Sequence, residues 1–240
     1  MKRIIILSVV LMVIGTAAPA QVLKKLKKAV ESTATETSKT GLTEEEVARG
    51  LKEALNIGIE KGVSRLSKVD GYFKDPEIKI ILPDEAKKVE EKLRVLGQDK
   101  LVEDAIESMN RAAEDAANGA KDIFLAAIKE LTIKDVMNIL RGENNAATKY
   151  LEQHTRAQLI EKFKPVIKVS LDKVGATKHW NTVFTTYNKL PFVKPVNPDL
   201  DDYVTQKAID GLFVQIAKEE YEIRKNPVAR VTDLLKKVFG

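Results

Sequence analysis

Two polar clusters in the sequence combine residue types and spacings that suit acid–base chemistry or ligand contact. In the first cluster, Asn110 and Glu114 are one helical step apart and Arg111 lies three residues before Glu114, so the three side chains share a helix face. A carboxylate beside a cationic group in a concave site can act as a general acid or base if its pKa is raised. Glu114, with Arg111 beside it, is the first candidate for that role.

The second cluster repeats this spacing near the C-terminus. Gln206 and Asp210 are one helical step apart, Lys207 lies between them, and Gly211 follows inside an otherwise continuous helical pattern. Asp210 beside Lys207 is the second candidate acid or base. If the two helix faces converge inside a bundle, six residues line a polar cavity and contact a ligand: Asn110, Arg111, Glu114, Gln206, Lys207 and Asp210. The alternative is a solvated face with ordinary ion pairs, each contributing about 0.3–0.5 kcal/mol.

Other chemistry-bearing residues are few. His154 and His179 have no second histidine at helical spacing, and local capping or surface roles account for both. Asp199, Asp201 and Asp202 lack the glycine and closing glutamate of a calcium loop, so we expect aspartates there to cap a helix. The chain has no familiar hydrolase, zinc-protease or nucleotide-binding motif. We predict no catalytic residue from a known motif, no metal ligand and no cofactor.

The first twenty residues have the three-part pattern of a secretory signal peptide. Lys2 and Arg3 precede an apolar run over 4–15, and Ala18 and Ala20 occupy the two positions that signal peptidase inspects. The run is shorter than the roughly 17–25 residues that cross a bilayer, which argues against an uncleaved anchor. We therefore expect cleavage after Ala20 and a periplasmic protein.

Residues 21–41 form a distinct N-terminal piece, a basic amphipathic turn followed by a flexible tether rich in Ser, Thr and Glu. The turn places Leu23, Leu26 and Val30 on one helical face. Each lysine near an anionic lipid surface contributes about 1 kcal/mol, so peripheral membrane contact is one interpretation, and a frayed terminus or a small docked helix is the other. The residues that would touch a membrane are Leu23, Lys24, Lys25, Leu26, Lys27 and Lys28.

Composition limits the remaining function classes. The chain has no cysteine, which excludes thiol catalysis, cysteine-ligated zinc and acylation of a cysteine, and leaves packing as the source of stability. Removal of Lys2 and Arg3 with the leader lowers the formal net charge from +5 to +3. That charge is too small to indicate a nucleic-acid partner.

The main domain begins at Leu42 with a capped helix predicted over 43–68. Thr43 and Glu46 form a capping box, and Leu42 lies at staple spacing from Val47. Small residues recur every four positions, and each glycine costs a helix interior about 1 kcal/mol, so we expect a groove that admits another helix. The predicted mate is the alanine stripe of a later helix, 112–120. The small residues are Gly50, Ala54, Gly58 and Gly62.

Helices dominate the rest of the domain, with one exception. The proline-flanked segment 77–82 alternates as a strand does, and we predict a tiny two-stranded β-ribbon between it and 191–195. The long helix over 99–131, bent or broken at Gly119, is expected to turn Leu101, Ala105, Met109 and Ala112 inward. The other helices are predicted over 84–96, 132–142, from Thr155, from Pro165 to Gly175, from Asp201 or Asp202 to Arg224, and from Pro227 to the end.

Four parts of this sequence match a known family: 108–114 (SMNRAAE), 139–142 (ILRG) with 146–148 (AAT), 202–213 (DYVTQKAIDGLF) and 234–240 (LLKKVFG). These blocks resemble an exported bacterial family catalogued as domain of unknown function 4197. The resemblance covers nearly all of 42–240 and implies one domain of that extent in a bacterial, Gram-negative envelope protein. It implies no catalytic residues.

Together these features predict a single all-α, bundle-like domain over 42–240 in a non-enzymatic periplasmic protein. We expect its bundle to bind an apolar or lipid-like ligand, or a helix of a partner protein in the cell envelope. One alternative is an enzyme without a recognisable motif that uses Glu114 or Asp210. The second alternative is a structural interaction module, which an exposed apolar patch would indicate.

Overall fold

The protein is all-α, as the sequence predicts. A computed structural model describes residues 42–240 except 178, 179, 182–184, 186, 187, 190, 193, 194, 196 and 198. The leader, the basic turn over 21–30 and His179 lie outside the described residues, so the predictions for them stay predictions. Eight α-helices are described: α1 (Glu44–Leu66), α2 (Lys87–Val95), α3 (Asp99–Ala117), α4 (Ala120–Glu130), α5 (Ile133–Arg141), α6 (Ala146–Lys173), α7 (Leu200–Lys225) and α8 (Asp233–Phe239).

Helix α1 begins at the predicted capping box. The Thr43 hydroxyl accepts a hydrogen bond from the Glu46 N–H at 3.2 Å, and the Glu46 carboxylate accepts one from the Thr43 N–H at 2.9 Å. Leu42 and Val47 are both buried beside the cap. These local signals placed the start of the helix correctly.

The small-residue row of α1 admits close neighbours, but not the predicted ones. Gly58 and Gly62 face side chains of α7, and Gly50 faces Val238 of α8. Helix α3, which carries Ala112 and Ala116 of the alanine stripe, packs mainly against α6 and α7, and Ala120 begins α4. The prediction of a groove was confirmed, whereas the predicted partner helix was wrong. A row of small residues indicates close packing but does not identify the helix that packs there.

Helix α6 runs without interruption through two predicted helix starts. The Thr155 hydroxyl donates to the Leu151 carbonyl at 2.7 Å inside the helix, and Pro165 also lies in its interior. An interior proline costs about 3 kcal/mol or more. A stripe of fully buried side chains crosses both positions and offsets this cost: Leu151, Leu159, Phe163, Ile167 and Leu171.

Other predicted boundaries hold within a few residues. The long helix breaks at Gly119 into α3 and α4, and α5 begins at the predicted Thr132 cap. Asp199 caps α7, because its carboxylate accepts from the Asp202 N–H at 2.9 Å. A 3-10 turn over Asp84–Ala86 precedes α2, and another over Pro227–Ala229 precedes α8. Among the described residues, no helix is both long and apolar enough to cross a membrane.

The predicted β-ribbon does not form in the part of the chain that the structure describes. Residues 77–82 make no strand, and two residues of the proposed partner, 193 and 194, lie outside the described residues. The backbone of Ile80 instead bonds to the side chain of Asn110 on α3. An alternating apolar pattern in an extended segment therefore reflects packing between helices in this case.

Candidate functional site

The first predicted cluster binds the backbone of a non-helical segment, residues 67–83, which we call the crossing segment. It lies between α3 and α7. One carboxylate oxygen of Glu114 accepts hydrogen bonds from the N–H groups of Tyr72 (3.0 Å) and Phe73 (3.2 Å), and the other oxygen accepts from Arg111 (2.8 Å). Glu114 is buried and both of its carboxylate oxygens accept hydrogen bonds within the protein, so its geometry gives it a structural role.

Asn110 provides the second attachment of the crossing segment. Its side-chain oxygen accepts from the Ile80 N–H at 2.8 Å, and its side-chain nitrogen donates to the Ile80 carbonyl at 2.8 Å and to the Ile106 carbonyl at 2.7 Å. Asn110 has no exposed surface. The carboxamide bonds both the N–H and the carbonyl of Ile80, as the backbone of a neighbouring strand would. The backbone hydrogen-bonding groups of Ile80 therefore have partners inside a helical protein.

Tyr72 attaches the same segment to α7. Its hydroxyl donates to the carbonyl of Ala208 at 2.8 Å, and the side chain is fully buried. Burial, followed by the charge of Glu114, raises the pKa of Tyr72 far above its ordinary value. The phenol therefore stays a neutral hydrogen-bond donor.

Gly211 makes room for this arrangement. A β-carbon at position 211 would lie 2.8 Å from Cε1 of Tyr72 and 3.2 Å from Cβ of Ile78. The glycine interrupts the helical pattern of α7 because the crossing segment presses against the helix there. A β-carbon on Gly58 would meet Cβ of Glu219 at 3.5 Å, which is ordinary van der Waals contact.

We expect one substitution to have opposite effects at these two glycines. Gly58→Ala should stabilise the protein by up to about 1 kcal/mol, the gain in helix propensity. Gly211→Ala should be destabilising overall, because overpacking costs about 1–3 kcal/mol. Urea unfolding of both variants measures the difference, and effects of the same sign would contradict this account of Gly211.

Arg111 connects the first cluster to the C-terminal end of α1. Besides Glu114, its guanidinium group donates to Asp70 at 2.8 Å and to Glu107 at 3.0 Å. Asp70 has a φ of +73°, a left-handed conformation that asparagine also tolerates. Hydrogen bonds from Lys74, then from Arg111, hold the pKa of Asp70 below its ordinary value of 3.8.

Asp70→Asn should show what this carboxylate contributes. Because its folded-state pKa is depressed, its stabilising effect is present above the unfolded value of 3.8 and is lost as the pH falls through the folded value. The difference in unfolding free energy between wild type and variant should therefore be largest near neutral pH and disappear in acid. Urea unfolding over a pH series measures it, and a difference independent of pH would assign the effect to the backbone.

The second predicted cluster does not join the first in one cavity. Asp210 accepts from Arg156 of α6 at 2.7 Å, Gln206 lies 3.5 Å from the same guanidinium group, and Lys207 is exposed. The crossing segment separates this face of α7 from Asn110 and Glu114 on α3. The six residues thus form two groups, and only Asn110 and Glu114 of the first group are buried.

A third polar cluster could not be recognised from the sequence. The buried carboxylate of Glu220 accepts from the N–H groups of Ala147 (3.0 Å) and Thr148 (2.8 Å), from the Thr148 hydroxyl (2.8 Å) and from Arg224 (2.8 Å). Asn145, which precedes α6, makes no side-chain cap of its own. Glu220 of α7 therefore caps α6 from a distance. In the sequence, the one indication of this cluster is the spacing of four residues between Glu220 and Arg224.

The remaining histidine with a described position has a local role. Nδ1 of His154 lies 2.7 Å from the Tyr150 carbonyl, and the imidazole stacks on the Tyr150 ring with centroids 4.0 Å apart. In the described part of the chain, no group of three or more histidine, aspartate and glutamate side chains could hold a metal ion.

The strongest candidate site is an open groove of about 980 Å³, which we call the large groove. Its floor is one face of α3, and its walls come from α2 on one side and the end of α6 with Trp180 and Leu200 on the other. No residue of α2 is buried, and Gly97, two residues after the helix ends, has a φ of +74°. Most of the lining is apolar: Leu82, Ala86, Val89, Leu93, Leu101, Val102, Ala105, Met109, Ala112, Val174, Ala176, Trp180 and Leu200.

The apolar periodicity of α3, which predicts a face turned toward the core, corresponds in part to the floor of this groove. Leu101, Ala105, Met109 and Ala112 were expected to face inward, and all four line the large groove. Leu101 is 56% exposed, whereas Met109 is 2% exposed. Helical periodicity identifies an apolar face, and it does not state whether another helix covers that face.

A smaller groove of about 440 Å³ lies between the crossing segment and α7. Lys207 and Asp210 of the second cluster line it together with Tyr203. The Tyr203 hydroxyl donates to the Ile81 carbonyl at 2.7 Å. Burial, with smaller effects of Asp84 and Glu85, raises the pKa of Tyr203 to about 12, so the phenol is neutral at physiological pH.

Comparison with known proteins agrees with the domain described above. The family model "Protein of unknown function (DUF4197)" matches residues 41–240. No curated protein and no solved structure matches the chain significantly. The match spans most of the sequence and includes every helix of the fold. The chain therefore belongs to the DUF4197 family of proteins of unknown function.

Proposed function

We propose that the protein binds the acyl chain of a lipid-like ligand in the large groove and acts as a non-enzymatic binding protein. The observation that carries this proposal is the apolar lining of the groove. Concave sites of about 300–1,000 Å³ with mostly apolar walls are the usual form of small-ligand sites, and this groove is at the upper end of that range.

The length of the groove suits one acyl chain. Its floor extends along α3 from Leu101 to Asp115, which at 1.5 Å per residue corresponds to about 21 Å. The hydrocarbon core of a bilayer is about 30 Å thick, so a chain in one leaflet spans about 15 Å. A chain laid along α3 fits within this length.

The side chains of the groove favour an adaptable apolar contact. Leu101 is exposed and Ala105 is half-buried, so both present apolar surface to a ligand, and the flexible, polarizable Met109 is buried beneath them. Val89 and Leu93 of α2 are only half-buried, so a bound chain would remove further apolar surface from water.

The envelope location predicted from the sequence would suit the same proposal. The predicted signal peptide would place the domain in the periplasm, where membrane lipids are close. In this proposal the basic turn over 21–30 makes at most peripheral contact with the membrane, as its few apolar residues bury little area. Nothing in the geometry favours the enzymatic alternative, since Glu114 is bonded to backbone and Asp210 to Arg156.

A single-chain ligand with an uncharged head tests the proposal. We expect 1-monomyristoylglycerol to bind and to change the fluorescence of Trp180, the only tryptophan of the chain and a residue of the groove wall. Ala105→Phe should fill the groove and weaken binding by about tenfold, a loss of about 1.4 kcal/mol. Ala217→Phe is the matched control, because Ala217 is also half-buried and lines neither groove.

Native mass spectrometry of the same samples gives the stoichiometry. One bound ligand per chain is expected for wild type and for Ala217→Phe. Absence of binding to folded wild-type protein, or equal loss in both variants, would refute a site in the large groove.

A further inference from the structure

We propose that the large groove selects a lipid head group that carries both charges, of the phosphoethanolamine type, with its phosphate at Lys173 and its ammonium at Asp115. This inference rests on the proposed function, because it names the head of the lipid whose chain the groove would hold. Both side chains border the groove, Asp115 on α3 and Lys173 at the end of α6.

Asp115 is a carboxylate that no cation neutralises among the described residues. Its side chain is exposed, and one oxygen accepts a hydrogen bond from the Ser170 hydroxyl at 2.8 Å. The second oxygen has no partner in the described part of the chain. This hydrogen bond holds the carboxylate at the rim, facing a helix that carries a lysine one turn further on.

Lys173 is the last residue of α6 and lies three residues after Ser170, so both side chains share a helix face. It is exposed and lines the groove. Within the described residues it has no carboxylate within ion-pair distance. Asp115 is thus bonded to the same helix that carries Lys173, and both uncompensated charges line the large groove.

The other charged side chains of the rim are already paired. Glu90 accepts from Arg94 at 2.8 Å, and Asp104 accepts from Lys100 at 2.8 Å. Arg111 pairs with three carboxylates, including Glu107 of the rim. Charge complementarity at this groove is thus decided by Asp115 and Lys173.

These two charges discriminate among head groups. A purely anionic head group that binds Lys173 is repelled by Asp115. A purely cationic head group that binds Asp115 is repelled by Lys173. A phosphoethanolamine satisfies both, because its ammonium can donate hydrogen bonds to Asp115 while its phosphate accepts from Lys173. An uncharged head gains neither contact.

The test compares three ligands that share a myristoyl chain: 1-myristoyl lysophosphatidylethanolamine, 1-myristoyl lysophosphatidic acid and 1-monomyristoylglycerol. Wild type should bind the phosphoethanolamine about three- to fivefold more tightly than the glycerol, which is the size of effect that an exposed ion pair supports. The variants are Asp115→Asn and Lys173→Gln. Asp122→Asn and Lys134→Gln are the controls, since both side chains are exposed and lie away from the groove.

The two variants should change the ligand order differently. Asp115→Asn should weaken the phosphoethanolamine and strengthen the lysophosphatidic acid, whereas Lys173→Gln should weaken both phosphates and leave the glycerol unchanged. Affinity that depends on the chain alone would overturn the head-group assignment and leave the proposed function standing. Failure of all three ligands to bind folded wild-type protein would overturn both.

Discussion

Glu114→Ala is expected to lower the free energy of unfolding by about 2–6 kcal/mol, because it removes the acceptor of two backbone N–H groups. The alanine leaves the N–H groups of Tyr72 and Phe73 without their acceptor and Arg111 without its buried partner. Each unsatisfied buried donor costs about 1–3 kcal/mol. Urea unfolding measures the loss.

Two variants make this prediction specific. Glu114→Gln keeps an oxygen for Tyr72 and Phe73 but presents an amide to Arg111, so its effect should be intermediate. Glu107→Ala removes a half-exposed partner of the same arginine and should cost at most about 1 kcal/mol. If Glu107→Ala proves as harmful as Glu114→Ala, the attachment of the crossing segment is not the reason for the burial of Glu114.

Glu220→Ala is expected to lower the free energy of unfolding by a similar amount. The Glu220 carboxylate both caps α6 and pairs with Arg224. The first turn of α6 would lose its acceptors for Ala147 and Thr148. The N-terminal end of a helix also favours a negative charge, so the loss includes the interaction with the helix dipole.

Glu222→Ala on the same helix is the matched control. Its carboxylate is exposed and, among the described residues, accepts only from the Asn226 side chain, so the change should stay within about 0.5 kcal/mol. Hydrogen exchange localises the effect: amides at the start of α6 should exchange faster in Glu220→Ala than in Glu222→Ala. Unchanged exchange there would refute the capping role.

Helix starts encoded in a few neighbouring residues could be predicted from the sequence. The Thr43 and Thr132 boxes and the break at Gly119 are complete within four or five positions, so no distant partner decides them. Thr155 shows the limit of this reasoning. Its capping pattern was present, but the buried stripe of α6 continues through it, and tertiary packing outweighs a local preference.

The partners of polar side chains could not be predicted. Glu114 reaches Tyr72 across 42 positions, and Glu220 reaches Thr148 across 72. Spacing correctly grouped Asn110, Arg111 and Glu114 on one face, but it cannot show that the opposing surface is backbone. The same spacing at Gln206 and Asp210 produced an exposed group bound to Arg156.

The unburied helix α2 has a consequence for how the large groove responds to occupancy. None of its residues is buried, and α2 is held by weak contacts: the half-buried Leu93 packs against the core, and Arg94 pairs with Glu103 of α3 at 2.9 Å on the surface. The folding free energy of α2 is therefore expected to be small. A chain lying against Val89 and Leu93 would supply the missing apolar neighbours. Docking of α2 and filling of the groove then form one linked equilibrium, in which each step stabilises the other.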